Sequence, residues 1–307
     1  MEDQASSRVA GLVYEEEISP ADIEGIADGM LLGSGAFGEV RKVFWRKTPA
    51  AAKVSHLDMP SNCKELFFRE LELMVRCRHP NVVQFLGFVD TPFVILMEFL
   101  PQGDLRSYWR SHKLSIAHKT RIVIDILRGI GYLHNRKPSS IIHRDIKPTN
   151  ILMTVSGVAK ITDFGLGRVK TTGNAIPAAS SEPPEQATSA TDVQVVQHVK
   201  YDSRGATKMV GTVPYMAPEA NSQGYDEKVD IFSAGVTFYE LFEQVSYDTD
   251  FLWALTPTPV RPIIKLMGSQ EPSKRPDALE LIDKFTATQP EAALQPALPE
   301  QGCCLVS

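Results

Sequence analysis

The feature that most restricts what this chain can fold into is a short polar stretch at residues 142–150, followed by Asp163-Phe164-Gly165 thirteen residues beyond its end. Within this stretch Asp145 can accept a proton from an attacking alcohol, and Lys147 can meet the charge of a phosphoryl group. Asn150 and Asp163 carry oxygen atoms suited to hard cations such as Mg²⁺, which usually binds with substrate phosphates and not in an all-protein cage. These residue types at these distances indicate one site for a hydroxyl, a phosphate and a metal ion.

A second phosphate-binding signal lies near the N-terminus, where Gly33, Gly35 and Gly38 recur within ten residues. Three glycines at this spacing allow a turn tight enough to lay backbone N–H groups over phosphates. A dinucleotide-binding fold and a plain hairpin turn use the same spacing. The dinucleotide fold needs a helix directly after the glycines. Here apolar residues continue as a strand, a turn is predicted at Thr48-Pro49, and a second strand ends at Lys53, which argues against the dinucleotide fold.

Together these motifs resemble those of eukaryotic protein kinases, over about residues 28–285. The stretches 79–87 and 225–233 are similar to the tyrosine-kinase-like group of Ser/Thr kinases, and Lys147 is typical of Ser/Thr specificity. The resemblance implies an α+β, bilobal protein-kinase fold, with a small β-rich N-lobe over a larger helical C-lobe. It implies ATP with Mg²⁺, or Mn²⁺ in its place, in the cleft between the lobes, and protein substrates as partners.

The resemblance also implies a role for each polar residue of the motifs. Lys53 would hold the ATP phosphates, oriented by Glu70 on a helix predicted over 62–78. Asp145 would position and deprotonate the substrate hydroxyl, and Lys147 would stabilise the moving phosphoryl group. The metal ligands would be Asn150 and Asp163.

The predicted ATP pocket lies between the glycine-rich strands and a hinge. Met97 would be the gatekeeper, the backbone of 98–100 would bond adenine, and Asp104 would lie near the ribose. Alanine at 50–52, where the family has Val-Ala-Ile, predicts a looser pocket roof. The residues expected to bind ATP are Leu32, Gly33, Ser34, Gly35, Ala36, Phe37, Gly38, Val40, Ala51, Lys53, Met97, Glu98, Phe99, Leu100, Asp104 and Leu152.

The C-lobe is expected to begin with an amphipathic helix over 115–133, whose isoleucines fall on one side. The resemblance implies that Asp230 bonds the catalytic-loop backbone and that Glu219 of Ala-Pro-Glu pairs with Arg275. It also implies a spine of stacked side chains: His143, Phe164, Met74 and Phe85. Only 45 positions separate Asp230 from Arg275, so we expect the docking helix near 247–262 to be trimmed.

Residues 168–206 are rich in Ala, Ser, Thr, Pro and Gln, a composition that favours disorder. We therefore interpret them as an insert in the activation segment. Thr207 is the first candidate for a phosphosite and Ser203 the second, because Arg144 is the usual cationic partner of such a phosphate. The alternative is that this segment is a polar loop without a phosphosite. An upstream activating kinase is the partner that a phosphosite would imply.

Composition limits the other classes of partner. A formal charge of −5 offers no basic field for nucleic acid, and no apolar run approaches the roughly 18 residues of a spanning helix. The start lacks a signal core and has no glycine at position 2 for myristoylation, so we expect a cytoplasmic protein. The expected organisation is a flexible tail (1–24), the N-lobe (25–97), the hinge (98–105), the C-lobe (106–285) and a flexible tail (286–307).

The last four residues, Cys304-Leu305-Val306-Ser307, fit the Cys-aliphatic-aliphatic-X pattern for farnesylation. They follow a stretch of Ala, Pro and Gln about 20 residues long, which as a coil would span on the order of 25 Å. One lipid chain binds membranes only marginally, and there is no polybasic patch, which leaves Cys303 as a palmitoylation candidate. We expect a prenyltransferase and membrane lipid as partners, and a peripheral location on the cytoplasmic face of a membrane.

The alternative to an enzyme is a pseudokinase scaffold that binds nucleotide and holds partners at a membrane. Pseudokinases commonly lose the strand lysine, the catalytic aspartate or the metal-binding aspartate, and this chain retains all three. The alanine-rich strand, the insert and the short C-lobe are the features that favour the scaffold.

Overall fold

The computed structural model describes residues 16–35, 38–55, 61–170, 200–201, 207–208, 213–221, 224–244 and 259–289, with backbone only at 61–66, 170, 200–201, 207–208 and 213. These residues form two lobes, one built on an antiparallel sheet and one mainly helical. Among the helices described, none is both long and apolar enough to cross a membrane.

The N-lobe is a six-stranded antiparallel sheet in the order β1-β3-β4-β6-β5, with β2 paired to β3. Its strands are β1 (Ile23–Glu24), β2 (Leu31–Gly35), β3 (Gly38–Trp45), β4 (Thr48–Ser55), β5 (Phe85–Val89) and β6 (Val94–Glu98). Helix α1 (Ser61–Val75) packs on β5 through Phe67, Leu71 and Met74, which are buried together with Phe85.

The turn between β3 and β4 lies at Arg46-Lys47, not at the predicted Thr48-Pro49. Both residues have positive φ, 48° and 69°, as a two-residue hairpin requires for its twist to match that of the strands. Pro49 instead lies in β4 opposite Phe44. The prediction, which relied on the proline, was wrong because Trp45 pairs with Thr48 and only two residues remain for the turn.

The C-lobe is organised around the buried helix α3 (Ile116–His134), which Ser115 caps by accepting a hydrogen bond from His118 N. The predicted helix over 115–133 is thus present, shifted by one residue. The other helices are α2 (Leu105–Ser111), α4 (Lys228–Glu243), α5 (Arg261–Met267) and α6 (Ala278–Thr288). Short ladders pair β7 (Ser140–Ile142) with β10 (Arg168–Lys170), β8 (Ile151–Met153) with β9 (Ala159–Ile161), and β11 (Lys200–Tyr201) with β12 (Thr207–Lys208).

The predicted tail over 1–24 is wrong for its last nine residues. Residues 16–24 lie on the N-lobe sheet, where Glu17 bridges Phe88 and the short strand β1 pairs with β3. Ile18 and Ile23 are buried there, so two apolar side chains outweigh the polar composition around them.

The predicted insert over 168–206 also begins too early. Residues 168–170 form β10, which pairs with β7, Arg168 opposite Ile142. Residues 171–199 and 202–206 lie outside the described residues, as do 1–15 and 290–307.

Candidate active site

The first part of the site joins the sheet to helix α1. Lys53 lies on β4, in register with Ile95 of β6, and Glu70 lies on α1. The Lys53 ammonium donates to both Glu70 oxygens, at 2.6 and 2.7 Å. Glu70 is buried, so the pair also sets the position of α1 relative to the sheet. The structure therefore brings together the two residues that the motifs predicted as a pair.

Asp163 contributes a second carboxylate to the same ammonium, with its Oδ1 at 3.1 Å from Lys53 Nζ. The Lys53 charge lowers the pKa of Asp163 to about 2. Burial lowers the pKa of Lys53, but Asp163 and Glu70 outweigh it, so that the net shift in this pKa is upward. At neutral pH the site therefore holds a charged ammonium and an ionised Asp163, whose side chain keeps 42% of its surface exposed.

The catalytic-loop residues form the second part. Lys147 Nζ donates to Asp145 Oδ2 at 2.7 Å, and Asn150 Nδ2 donates to the same oxygen at 2.8 Å and to the Asp145 carbonyl at 2.9 Å. Asp145 and Asn150 are both buried. The short 3₁₀ turn Pro148–Asn150 places the amide back over the carboxylate five residues earlier.

The two parts belong to one site. Thr162, which precedes Asp163, donates its N–H to the Asn150 carbonyl at 2.9 Å, and His143 Nε2 contacts the Thr162 carbonyl at 3.0 Å. Lys147 lies close enough to Asp163 to contribute to lowering its pKa, after the larger effects of Lys53 and of His143. The predicted catalytic and metal-binding residues thus lie close together, connected through Thr162.

Asp230 on α4 anchors the catalytic loop, and its side chain is fully buried. Its carboxylate accepts the N–H of His143 at 2.8 Å and that of Arg144 at 2.7 Å. His134 Nε2 lies 2.8 Å from the same carboxylate. The predicted contact of Asp230 with the loop backbone is confirmed, whereas sequence reasoning missed His134, because a histidine at a helix end carries no distinguishing signal.

The predicted spine also lies together. Met74, Phe85 and Phe164 share one buried cluster, and the His143 ring meets the Phe164 ring edge-on at 5.1 Å. His143 is fully buried, in agreement with a packing role.

Several residues predicted to bind the nucleotide lie on the sheet that carries Lys53. Ala51 pairs with Met97 across β4 and β6, and Met97, Leu100 and Leu152 belong to one apolar cluster. Leu32 is 40% exposed on β2. Gly33, Ser34 and Gly35 lie on β2, Gly38 and Val40 lie on β3, and Ala36 and Phe37 lie outside the described residues.

Strand β4 does not support the prediction that its alanines loosen the roof of the nucleotide pocket. Ala50 and Ala52 point away from Ala51, into the cluster that contains Ile18 and Ile23, because side chains alternate along a strand. Their small size therefore concerns the far face of the sheet and not the nucleotide pocket.

The hinge is shorter than predicted, since β6 ends at Glu98 and α2 begins at Leu105. Asp104 caps α2, accepting hydrogen bonds from Ser107 N at 3.0 Å and Ser107 Oγ at 2.7 Å. Glu98 forms an ion pair with Lys160 of β9, at 2.6 Å. The motifs did not indicate this pair, which joins the end of β6 to β9.

The segment 213–221 carries the Ala-Pro-Glu residues. Arg275 Nη2 donates to Glu219 at 2.9 Å, and Nη1 contacts the other oxygen, so the predicted pair is confirmed as a bidentate contact.

Of the two candidate phosphosites, Ser203 lies outside the described residues, and only the backbone of Thr207 is described, in β12. Arg69 and Arg168 lie near Arg144. The guanidinium groups of Arg144 and Arg168 lie over the ring of Tyr225, at 5.4 and 6.0 Å from its centroid.

The donor atoms fit a metal–nucleotide complex. Both amide hydrogen bonds of Asn150 use Nδ2, which leaves Oδ1 as the atom for a cation. Asp163 stays ionised and accessible beside it. Two such oxygens, with phosphate and water oxygens completing the shell, are the donor set that Mg²⁺ prefers.

Comparisons with known proteins agree with this geometry. The protein kinase domain family matches residues 26–285. The chain is 36% identical over 235 residues to the serine/threonine-protein kinase VIK of Arabidopsis thaliana, covering 74% of this chain and 48% of that protein. It is 31% identical over 304 residues to the integrin-linked protein kinase 1 of the same plant, covering 94% and 56%. The probable serine/threonine-protein kinase SIS8 of that plant is 34% identical over 235 residues, covering 74% and 20%. The chain thus spans about half the length, or less, of these relatives.

Proposed function

This chain belongs to the protein kinase family, and from that premise we propose that it transfers the γ-phosphoryl group of ATP to serine and threonine hydroxyls of protein substrates. The observation that carries the proposal is the close grouping of the catalytic and metal-binding side chains. There the Lys53–Glu70 pair, the ionised Asp163 and the Asp145–Lys147–Asn150 group lie together. Lys147 in the loop and the similarity to plant Ser/Thr kinases support hydroxyl acceptors of the Ser/Thr type, in the tyrosine-kinase-like group.

ATP with Mg²⁺, or with Mn²⁺, supplies the phosphoryl group and part of the charge neutralisation when bound. Lys53 would hold the phosphates, and Glu70 fixes the direction of its side chain. Asp163 and Asn150 would hold the metal ions. Each of these residues acts through position and charge, which account for most of the acceleration in phosphoryl transfer.

Asp145 is the residue that we assign to the acceptor hydroxyl. Its carboxylate orients the serine or threonine and takes up the proton as the O–P bond forms. Lys147 and Asn150 both hold Oδ2, so the carboxylate keeps one orientation. The Lys147 ammonium also faces the charge that moves with the phosphoryl group.

Activation by phosphorylation upstream of residue 213 belongs to the same proposal. Arg69, Arg144 and Arg168 gather positive charge near the catalytic loop, which suits a phosphate on Thr207 or Ser203 placed there by an upstream kinase. Mass-spectrometric mapping of the purified protein tests this assignment, and phosphate found only outside 171–212 would contradict it.

We also propose a lipid anchor at the C-terminus, with a prenyl group on Cys304 and a palmitoyl group on Cys303. The support is the sequence pattern alone, together with the Ala-, Pro- and Gln-rich composition that precedes it. A protein anchored in this way would lie on the cytoplasmic face of a membrane. The proposal requires that the chain end at Ser307 before processing.

The experiment that separates the enzyme from a nucleotide-binding scaffold compares the wild type with Asp145→Asn. We expect Mg-ATP to raise the melting temperature of both proteins, and phosphate transfer to casein, a general acceptor, to fall about 10²- to 10⁴-fold in the variant. Asp90→Asn, at an exposed position, is the matched control and should behave as the wild type. Nucleotide binding without transfer in the wild type would favour the scaffold.

A further inference from the structure

A basic surface lies on the C-lobe around the connection between α2 and α3, and none of its residues is assigned to catalysis. Residues 105–138 contain eight Lys and Arg residues but a single acid, Asp125, in a chain whose formal charge is −5. Asp125 is buried; burial raises its pKa, and the charges of Arg121 and Arg128 oppose that rise. This part of the protein therefore carries an excess of positive charge.

The exposed centre of this surface is formed by Arg110, at the end of α2, and Lys113, in the connection to α3. Both side chains are exposed, and neither forms an ion pair with any residue that the structure describes. Ile116, three residues after Lys113, keeps 44% of its surface exposed. Two exposed cations beside an exposed apolar side chain suit the boundary of an anionic bilayer, where charged headgroups lie above an apolar region.

The beginning of α3 and the end of α6 lie together, at the C-terminal end of α4. Phe238 of α4 meets Phe285 of α6, with ring centroids 5.9 Å apart. One turn further along α4, the Phe242 carbonyl accepts a hydrogen bond from Lys119, in the first turn of α3, at 2.8 Å.

The direction of α6 agrees with this placement. Ala278, at the start of α6, lies beside Gly131, near the end of α3, so α6 runs back toward the start of α3. The tail that follows α6 therefore begins at the end of the C-lobe that carries the basic surface.

The tail is also short enough to keep this surface near a membrane. Cys304 lies 15 positions after Gln289, the last residue described. As a coil, this stretch would span on the order of 20 Å. A lipid on Cys304 would thus hold the basic surface close to the bilayer, and a second contact made there adds to the first. The sequence next to Cys304 lacks a polybasic patch, but the fold supplies basic side chains where the tail begins.

We propose that Arg110, Lys113 and Ile116 form a membrane-contact surface for anionic phospholipid, which acts together with the lipid on the tail. A bilayer offers both the negative charge and the apolar region that this surface suits, whereas an acidic protein segment offers chiefly the charge. The inference rests on the proposed lipid anchor, because one lipid chain alone gives only marginal membrane binding. It does not depend on phosphoryl transfer.

The test replaces the natural lipid by a C-terminal hexahistidine tag on the full-length protein. The tag binds vesicles that contain a nickel-chelating lipid, whether or not Cys304 is prenylated in cells. One set of vesicles is made of phosphatidylcholine and the other also contains phosphatidylserine, with equal amounts of the nickel lipid. We expect binding to be about tenfold tighter on the anionic vesicles, since each Lys or Arg near such a surface contributes about fivefold. Hydrogen exchange at residues 110–116 should be slower there.

Three variants identify the side chains responsible. Arg110→Gln with Lys113→Gln should weaken binding to anionic vesicles about tenfold and change binding to neutral vesicles by less than about twofold. Arg46→Gln with Lys47→Gln, which removes the same two kinds of side chain from an exposed hairpin of the N-lobe, should bind both vesicles as the wild type does. Ile116→Ser should weaken binding to anionic vesicles about fivefold. The melting temperature of each variant reports whether it is folded.

Each contrary outcome has a distinct meaning. Equal binding and equal exchange on neutral and anionic vesicles would overturn the inference. An equal loss of binding in the two double variants would also overturn it, since net charge alone would then be responsible. If soluble polyglutamate slowed exchange at 110–116 as much as the vesicles do, the partner would be an acidic protein and not lipid. The proposed anchor fails separately, when Cys304 of the untagged protein from eukaryotic cells carries no lipid.

Discussion

At the scale of single residues, the site depends on positions where the backbone is held in an unfavourable conformation. Arg144 and Asp163 both lie in the left-handed region, with φ of 71° and 66°, which residues other than glycine seldom adopt. Each such position costs about 1–3 kcal/mol and persists only when its surroundings enforce it. For Arg144 the enforcing contact is the hydrogen bond from its N–H to Asp230, and for Asp163 it is the ion pair with Lys53.

Asp230 should accordingly contribute to stability in a pH-dependent way. Burial would raise the pKa of Asp230, but the hydrogen bond and charge of His134, with further contributions from His143 and Arg144, shift this pKa downward. A carboxylate whose pKa is lowered in the folded state stabilises the protein above its unfolded-state pKa of about 3.9, and this contribution disappears as the pH falls through the lower value.

We expect Asp230→Asn to lower the free energy of unfolding at pH 7 by about 3 kcal/mol, since one buried N–H loses its acceptor next to a charged network. The difference from the wild type should shrink as the pH falls below about 4. Urea unfolding at several pH values measures both effects, and Asp283→Asn, at an exposed position on α6, serves as the control. A difference that grows on acidification would contradict the assignment.

Lys53 is the residue on which the nucleotide assignment depends. Lys53→Met removes an ammonium that is paired with both Glu70 and Asp163, and we expect transfer to casein to fall by about 10²-fold or more. Lys265→Met, on the exposed side of α5, should leave transfer unchanged. Undiminished transfer by the Lys53 variant would refute its phosphate-binding role.

At the scale of elements, the N-terminal segment 16–24 completes the sheet. Ile18 and Ile23 fill a cluster on the face of the sheet away from the cleft, beside Ala50 and Ala52. Where the family has Val and Ile on this strand, the chain has two alanines. The volume that the larger residues would occupy is therefore available to the isoleucines of the N-terminal segment.

We expect Ile23→Ala to destabilise the protein by about 2–4 kcal/mol, and Ile18→Ala by a similar amount, because each leaves a cavity in a packed cluster. Met30→Ala, at a side chain that is 60% exposed, should change stability by less than about 0.5 kcal/mol. Mg-ATP affinity should stay unchanged in all three, since the cluster lies behind Ala51. Chemical denaturation gives the stabilities, and equal values for Ile23→Ala and Met30→Ala would show that the segment is not packed as described.

At the scale of the whole molecule, the parts predicted from sequence are those whose residues stand close together in a recognisable motif. Asp145, Lys147 and Asn150 fall within six positions, and the motif context identified Lys53 and Glu70 as their partners. The hydrogen bonds that Arg106 donates to the buried side chains of Tyr215 and Glu240 could not be predicted, because 109 positions separate the arginine from the tyrosine and 134 separate it from the glutamate. The docking of residues 16–24 was missed for a related reason, since two isoleucines in a polar stretch carry no periodicity.

The proposed lipid anchor would set where the folded domain is located in the cell. The residues of the cleft all lie within 26–285, so attachment at Cys304 should change location and leave the chemistry alone. Because one lipid chain gives only marginal membrane binding, loss of the prenyl group should release most of the protein, while loss of Cys303 should release part of it.

We therefore expect Cys304→Ser to move the protein from the membrane to the soluble fraction of a cell lysate, with transfer to casein unchanged after purification. Ser307→Leu is the matched variant, because leucine at the last position favours a geranylgeranyl over a farnesyl group and should preserve membrane binding. The mass of the C-terminal peptide reports which lipid is attached and whether Ser307 ended the chain. A Cys304→Ser protein that partitions as the wild type does would rule out prenylation as the anchor, because no other residue in the pattern can accept the prenyl group.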